Sequence, residues 1–219
     1  MIILIGNQKG GCGKSTLTLL LANYLTQAKK VKVHVIDMDY QQSISQKFEK
    51  AKVLENEVLY EVIPAGLEHF PVIKELLRDT EGEVVLIDLP GKLDDDGLIP
   101  VFHAADLVIC PFAYDEFSFT STILFSVVLK KINEKVGIVY VPNRIKANVR
   151  YETQQEVHEQ LEKIGGLTPV IPDRIDFQRV NTFMTPLTVV PPIIPVFEQV
   201  FEKIKQIIGA HDQDHLAGG

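Results

Sequence analysis

Apolar residues fall along this chain in short runs, separated by longer stretches in which they recur every three or four positions. Ile2 to Gly6 is the first run and reads as a strand. A glycine-rich loop follows, and then Leu17, Leu20, Leu21, Tyr24 and Leu25 recur at helical spacing; Lys29 and Lys30 supply the charge that suits a helix C-terminus. Val31 to Asp37 is a β-branched second strand, and Gln41 to Lys50 a helix. Val58 to Pro64 reads as a strand and Pro71 to Arg78 as a short helix, in a less informative stretch. Val84 to Asp88 is continuously apolar up to its acidic end, the pattern of a strand buried on both faces of a parallel sheet. Further strands are expected at Leu107 to Pro111, Val136 to Val141 and Thr168 to Ile171, with helices at Phe117 to Asn133, Tyr151 to Ile164 and Pro195 to Ile208. The alternation predicts an α/β fold, doubly wound, with a mostly parallel sheet, helices on both faces and right-handed crossovers. One domain is expected over residues 1–209, with 210–219 a disordered tail.

The first strand and helix are joined by Asn7-Gln8-Lys9-Gly10-Gly11-Cys12-Gly13-Lys14-Ser15-Thr16. Three glycines in four positions let backbone N–H groups approach an anion without Cβ interference, and the helix start adds its positive dipole end at the same point. Lys14 can reach outer phosphates, and the Ser15 hydroxyl can ligate Mg²⁺. The general phosphate-loop pattern calls for glycine where this chain has Gln8, and a second lysine, Lys9, stands next to it. Taken alone, Lys9 is equally well a solvated charge.

Three carboxylates stand at strand ends. Asp37 and Asp39 follow the second strand, well placed for metal and water chemistry at the carboxyl edge of an open sheet; the alternative is that one of them caps the following helix. Asp88 ends the most buried strand, where it can hold a water of a Mg²⁺ shell. Asp88-Leu89-Pro90-Gly91 also offers a glycine N–H to a terminal phosphate. Asp94, Asp95 and Asp96 read as a solvated loop and helix start. Phe117, Phe119 and Phe125 read as core or dimer packing. Asn143, after Val136 to Val141, has an amide that can pair with an adenine edge, and a plain turn asparagine is the alternative.

Composition narrows the classes. Over 219 residues, 46% are hydrophobic and 23% charged, as in an ordinary globule, and the formal net charge of −7 gives no global pull toward nucleic acid or anionic membrane. Cys12 and Cys110 have no CxxC partner, so no disulfide framework is expected. No signal-like segment or membrane span is read, and a cytoplasmic protein is expected. The last helix carries Glu198, Glu202, Lys203 and Lys205 opposite its apolar stripe, which favours core packing over a basic membrane-surface helix.

Lys9-Gly10-Gly11-Cys12-Gly13-Lys14-Ser15 resembles the deviant phosphate loop of the ParA/MinD family of ATPases, and Asn7-Gln8-Lys9-Gly10-Gly11 looks most like its small ParA branch. The resemblance implies a P-loop NTPase of the SIMIBI type that binds ATP with Mg²⁺, with Gly10, Gly11, Cys12, Gly13, Lys14, Ser15 and Thr16 around the phosphates. In that family the lysine corresponding to Lys9 crosses a dimer interface to the nucleotide of the other subunit. Asp37-Met38-Asp39-Tyr40-Gln41 is similar to the family's second motif, which places Asp37, with Ser15 and Asp88, near Mg²⁺ and has Asp39 direct the attacking water. Tyr40 stands where proline is usual. Asn143 matches the family's asparagine at the adenine, and Pro172-Asp173 resembles the segment that closes over it.

The resemblance implies an ATPase that dimerises with ATP, is slow without an activating ParB-like partner protein, and binds DNA nonspecifically. Incomplete P-loop switches turn over at about 10⁻³ per second. Arg144, Lys146, Arg150, Arg174 and Arg179 are the basic residues available for DNA, a solvated face being the alternative. The rival within the fold is an ATP-dependent biosynthetic ligase similar to dethiobiotin synthetase, against which Lys9-Gly10-Gly11 speaks. A nitrogenase-iron-protein relative would need cysteines near Asp88, and a bacterial tyrosine kinase a tyrosine-rich tail; this chain has neither.

Overall fold

The computed structural model describes residues 1–77, 82–92, 94–147, 149 and 151–217. Its centre is a seven-stranded sheet in which every pairing is parallel. The strands are β1 (Ile2–Ile5), β2 (Val33–Asp37), β3 (Glu61–Pro64), β4 (Val84–Asp88), β5 (Leu107–Phe112), β6 (Gly137–Pro142) and β7 (Gly166–Leu167), in the order β3-β2-β4-β1-β5-β6-β7. The helices between them are α1 (Lys14–Gln27), α2 (Ser43–Val53), α3 (Phe70–Leu76), α4 (Leu98–His103), α5 (Glu116–Ile132), α6 (Gln154–Leu161) and α7 (Val190–Ala217). The doubly wound, parallel α/β architecture expected from the alternation is the one observed.

Two cores lie on the two faces of the sheet. One joins α1, α2 and α7 through Leu17, Leu21, Phe48, Phe197 and Val200 to Ile3, Ile5 and Val35. The other packs Phe70, Phe102, Phe125 and Leu161 against Leu4, Ile36 and Ile87. Alternate residues of β1 thus feed opposite cores, which is why the central strands carry no polar residue before their ends. Val196, Phe197, Val200 and Ile204 of α7 are buried in the first core, so its apolar stripe is a packing surface. Among the described residues, no helix is long and apolar enough to cross a membrane.

Several boundaries differ from the sequence expectation. The strand expected at Thr168 to Ile171 is instead the two-residue β7 at Gly166–Leu167; beyond it Thr168 N–H still donates to the Tyr140 carbonyl at 3.0 Å and Ile171 N–H to the Pro142 carbonyl at 2.8 Å, and an isolated bridge joins Pro172 to Ile145. Pro169 and Pro172 have no N–H to donate, so the ladder with β6 cannot continue through them. The same shift shortens the preceding helix to Gln154–Leu161. Helix α2 begins only at Ser43 because Gln42 sits in the left-handed region, with φ 47. Helix α7 starts five residues before Pro195, since Pro191 and Pro192 lie in a first turn whose N–H groups have no intrahelical partner. It runs on to Ala217, past the Gly209 boundary read from the sequence. Arg78 and Arg150 lie outside the described residues.

Candidate functional site

Strand order and register assemble the site. β1 lies between β4 and β5, so the loop leaving Ile5 emerges beside the ends of both. Asp88 pairs in register with Ile5 on one side and Asp37 on the other, which sets two carboxylates side by side at the mouth of the loop. Both are fully buried.

Gly10 and Gly11 have open space where a side chain would be, so the loop presents bare backbone. Gly13 is required by geometry: its φ is +92, and a Cβ there would lie 2.4 Å from Asn143 Nδ2. Lys14 opens α1 and is buried, with Nζ 3.9 Å from where a Cβ on Gly91 would stand. The Asp-x-x-Gly glycine therefore borders the Lys14 ammonium.

Ser15 Oγ donates to Asp88 Oδ2 at 2.6 Å, and Thr18 Oγ1 donates to Asp88 Oδ1 at 3.1 Å. Ser45 donates to Asp37 Oδ2 from both N–H and Oγ, each at 2.9 Å. Asp37 thereby holds the third residue of α2, so helix capping and a place beside Ser15 and Asp88 fall to one carboxylate. Its other oxygen, Oδ1, is buried and has no hydrogen-bond partner. An orphaned carboxylate oxygen next to a serine–aspartate pair is a donor set that suits a hard cation, and Ser15, Asp37 and Asp88 fit Mg²⁺.

Burial pushes the Asp88 carboxyl up to about 7; the Ser15 hydrogen bond opposes this, the Asp37 charge adds to it, and Lys14 and Thr18 oppose it. A carboxyl raised in the folded state binds more protons there than in the unfolded chain, so stability falls as pH rises from about 4 through 7. The ligand-free, metal-free Asp88→Asn protein should therefore melt higher than wild type at pH 8. About three pK units set an upper limit near 4 kcal/mol, or roughly 8–16 °C in a chain of this size. The gain should vanish near pH 4, and paired thermal melts at the two pH values measure it.

Asp39 lies beyond the end of β2, partly exposed, where its Oδ1 accepts from Gln41 N–H at 3.2 Å and its carbonyl from Gln42 N–H at 2.9 Å. It forms its own turn, and among the described residues it makes no hydrogen bond or ion pair with Lys14 or Ser15. Lys9 is partly buried on the opposite side of the loop, with Nζ 5.9 Å from the centre of the exposed Phe117 ring.

The nucleobase candidates converge. Asn143, Pro172 and Asp173 line one cleft of about 200 Å³ together with Gly13, Thr16 and Phe177. The Asn143 amide, however, is not free: Nδ2 donates to the Cys12 carbonyl at 2.8 Å, so this asparagine first of all fixes the phosphate loop. Arg144, in the left-handed region with φ 59, donates from Nη1 to the Gly11 carbonyl at 2.8 Å and sets Nε 3.6 Å from Asp173 Oδ1. Arg144 and Arg174 both line the cleft. Lys146 and Arg179 are exposed away from it, the latter 3.6 Å from Asp176.

Four residues support the site in roles that the sequence reading did not assign: Asn7, Thr18, Ser45 and Arg144 as a loop contact. Asn7 is fully buried; Nδ2 donates to the Pro111 carbonyl and to Thr122 Oγ1, each at 2.8 Å, and Oδ1 accepts the Lys9 N–H at 3.2 Å. A polar residue directly after an apolar strand was the available signal for Asn7. Contacts spanning 70 or more residues, such as Thr18 to Asp88, had none.

Comparison with known proteins decides the family. A family model for the CobQ/CobB/MinD/ParA nucleotide binding domain matches residues 3–187. The chain belongs to this family. Within it the chain stands close to ParA, as the Asn7-to-Ser15 motif predicted. Among solved structures, a protein of Borrelia burgdorferi B31 described as a plasmid partition protein and bound to AMPPNP is 26% identical, with a TM-score of 0.74 over 92% of this chain and 98% of that one. The ATP complex of an McdA variant from Cyanothece is 19% identical (TM-score 0.68; 95% and 96% covered), and the cell division ATPase MinD of Pyrococcus furiosus also 19% (TM-score 0.71; 94% and 98% covered). At that identity the last two show the fold alone. No curated protein matches the chain significantly in sequence. As a ParA/MinD family member, the chain has the fold of a partition-type P-loop ATPase and a nucleotide-binding site built around the phosphate loop.

Proposed function

We propose that this protein is a ParA-like, Mg²⁺-dependent ATPase that works as a nucleotide-controlled dimerisation switch in DNA partitioning or cargo positioning. The observation that carries the proposal is the pairing of a bare Gly10-Gly11 backbone and buried Lys14 with the Ser15–Asp88–Asp37 donor set. Lys14 and the N–H groups from Gly10 to Thr16 bind the phosphates, and Ser15, Asp37 and Asp88 hold the metal. Mg²⁺ when bound supplies neutralising charge to phosphate oxygens as the terminal phosphoryl group departs. Pro172 and Asp173 enclose the base, while Asn143 presents its remaining amide oxygen to it from the floor of the loop. Asp39 swings from its own turn to orient the attacking water, and Lys9 reaches the nucleotide of a second copy.

The description of the Borrelia relative as a plasmid partition protein supports placing the switch in partitioning; a ParB-like activator as partner and the cytoplasm, near the nucleoid, as location belong to the same reading. DNA contact is assigned to Lys146, Arg150 and Arg179, because Arg144 and Arg174 face the cleft. Both halves of the proposal are open to assay. Phosphate release from purified protein should require Mg²⁺ and rise about 10³-fold or more when the missing element is supplied by the activator. Binding to random-sequence DNA should appear only with ATP and weaken steeply between ~50 and ~200 mM salt, with a log–log slope of roughly −0.9 per phosphate contacted. Phosphate release that instead depends on a small carboxylate substrate would favour a biosynthetic ligase.

A further inference from the structure

One wall of the nucleobase cleft is fastened at its end by a lysine from another element. Phe177 and Gln178 line the cleft from a short helical turn, Ile175–Arg179, and the next residue, Val180, is buried in the first core. Lys47 of α2 donates from Nζ to the Val180 carbonyl at 2.7 Å. Burial pushes the Lys47 ammonium below the usual lysine range, whereas a lysine serving only as a surface charge would turn its head to water. The contact spans 133 residues, so no local geometry requires it.

The flanks of this wall are tied down separately. Asp173 N–H donates to the Ile145 carbonyl at 3.0 Å. Beyond Val180, the buried Asn23 of α1 donates from Nδ2 to the Asn181 carbonyl at 2.9 Å and to Thr185 Oγ1 at 3.0 Å. Between these anchors, among the described residues, Lys47 alone brings a hydrogen bond from another element to the main chain. Because Val180 is out of water, removing the ammonium leaves its carbonyl unpaired, which is more costly than the net gain of making the bond. The turn must then shift to hydrate it.

Lys47 also joins the two ends of the site. Ser45, two residues before it, donates to Asp37 Oδ2 from N–H and Oγ. Residues two apart on a helix lie about 200° apart around its axis, so a single turn of α2 is bound on one side to the metal-site carboxylate and on the other to the base wall. We infer that Lys47 is a positioning residue for nucleobase recognition: by holding the Val180 carbonyl it sets Phe177 and Gln178 against the base and joins that wall to the turn of α2 held by Asp37. This rests on the reading of the cleft as the nucleobase site. Among the described residues Lys47 makes no hydrogen bond or ion pair with the phosphate loop, so its effect falls on the base and not on the phosphates.

Calorimetric titration of wild type, Lys47→Met and Lys47→Arg with AMPPNP and with inorganic tripolyphosphate, each with Mg²⁺, tests this. Wild type should bind AMPPNP more tightly than tripolyphosphate. Lys47→Met should bind AMPPNP about tenfold more weakly and keep its tripolyphosphate affinity within about threefold. Lys47→Arg, which keeps a charged donor, should recover most of the loss. A methionine variant that binds AMPPNP like wild type overturns the inference and leaves the cleft as the base site. Equal losses for the two probes also overturn it, because a general loosening of the structure would weaken both. Wild type that binds AMPPNP no better than tripolyphosphate overturns the reading of the cleft, and the inference with it. A second measurement needs no variant: in wild type, an amine-reactive ester followed by peptide mapping should label Lys47 several-fold more slowly with AMPPNP bound than with tripolyphosphate, since the base closes on the turn that Lys47 holds. Equal labelling rates overturn the inference.

Discussion

Lys14→Ala should lower ATP affinity by about 100-fold or more, because removing one partner of a buried charge pair costs roughly 2–5 kcal/mol. The side chain is buried before any ligand arrives, with its ammonium beside Gly91 and its charge felt at Asp88. It is thus preorganised, whereas the Lys9 ammonium lies 5.9 Å from the centre of the Phe117 ring. Calorimetric titration with AMPPNP measures the loss. The fold should persist, since among the described residues the Lys14 side chain makes no hydrogen bond, and the melting curve serves as the control. A variant that binds nucleotide like wild type would remove the phosphate role from this loop.

Lys9→Ala is expected to separate binding from assembly. The monomer's cleft and Lys14 are untouched, so AMPPNP affinity at low protein concentration should change less than about threefold, within the range of surface substitutions. Assembly with nucleotide should weaken by about 100-fold or more, because a desolvated charge pair across the interface is lost. Light scattering over a concentration series with AMPPNP shows both quantities in one experiment. Equal losses of nucleotide affinity and assembly would mean that Lys9 serves its own subunit's nucleotide.

How much of this was legible in the sequence depends on whether the determinant was local. Val84–Asp88 was read correctly at both ends because a strand buried on both faces tolerates only apolar residues, so its first polar residue is its end. The Lys9-to-Ser15 loop was legible because glycine spacing is itself the geometric requirement. Asp37 and Asp88 were each visible, and their adjacency follows from the strand order, which no single segment encodes. The split between helix cap and metal-site carboxylate for Asp37 and Asp39 could not be resolved locally. Asp37 does the capping through Ser45 while keeping one oxygen open, and only packing of α2 against the strand end reveals it.

Asn143 shows the same limit. Its type and place at the end of β6 were readable, but its hydrogen bond to Cys12 spans 131 residues and shows that it also braces the loop. Thr168 to Ile171 was misread because the apolar pattern was weighed without the two prolines that interrupt the ladder. Of the α5 aromatics read as core or dimer packing, Phe125 is buried in the second core and Phe119 packs against it, while Phe117 is exposed; the inward turn of Thr122 and Ser126 was not visible, because their partners Asn7 and Tyr140 are distant in sequence.

The central claim is that ATP binding builds a dimer and that hydrolysis through Asp39 takes it apart. Among the described residues Asp39 makes no hydrogen bond or ion pair with the phosphate loop, so Asp39→Ala should leave nucleotide binding intact and remove only the oriented water. The direct measurement is size-exclusion chromatography with light scattering on Asp39→Ala, with and without MgATP. The account predicts a monomer without nucleotide and a stable dimer with it, persisting for the whole run because turnover has stopped. An Asp39→Ala protein that binds ATP and elutes as a monomer would contradict it.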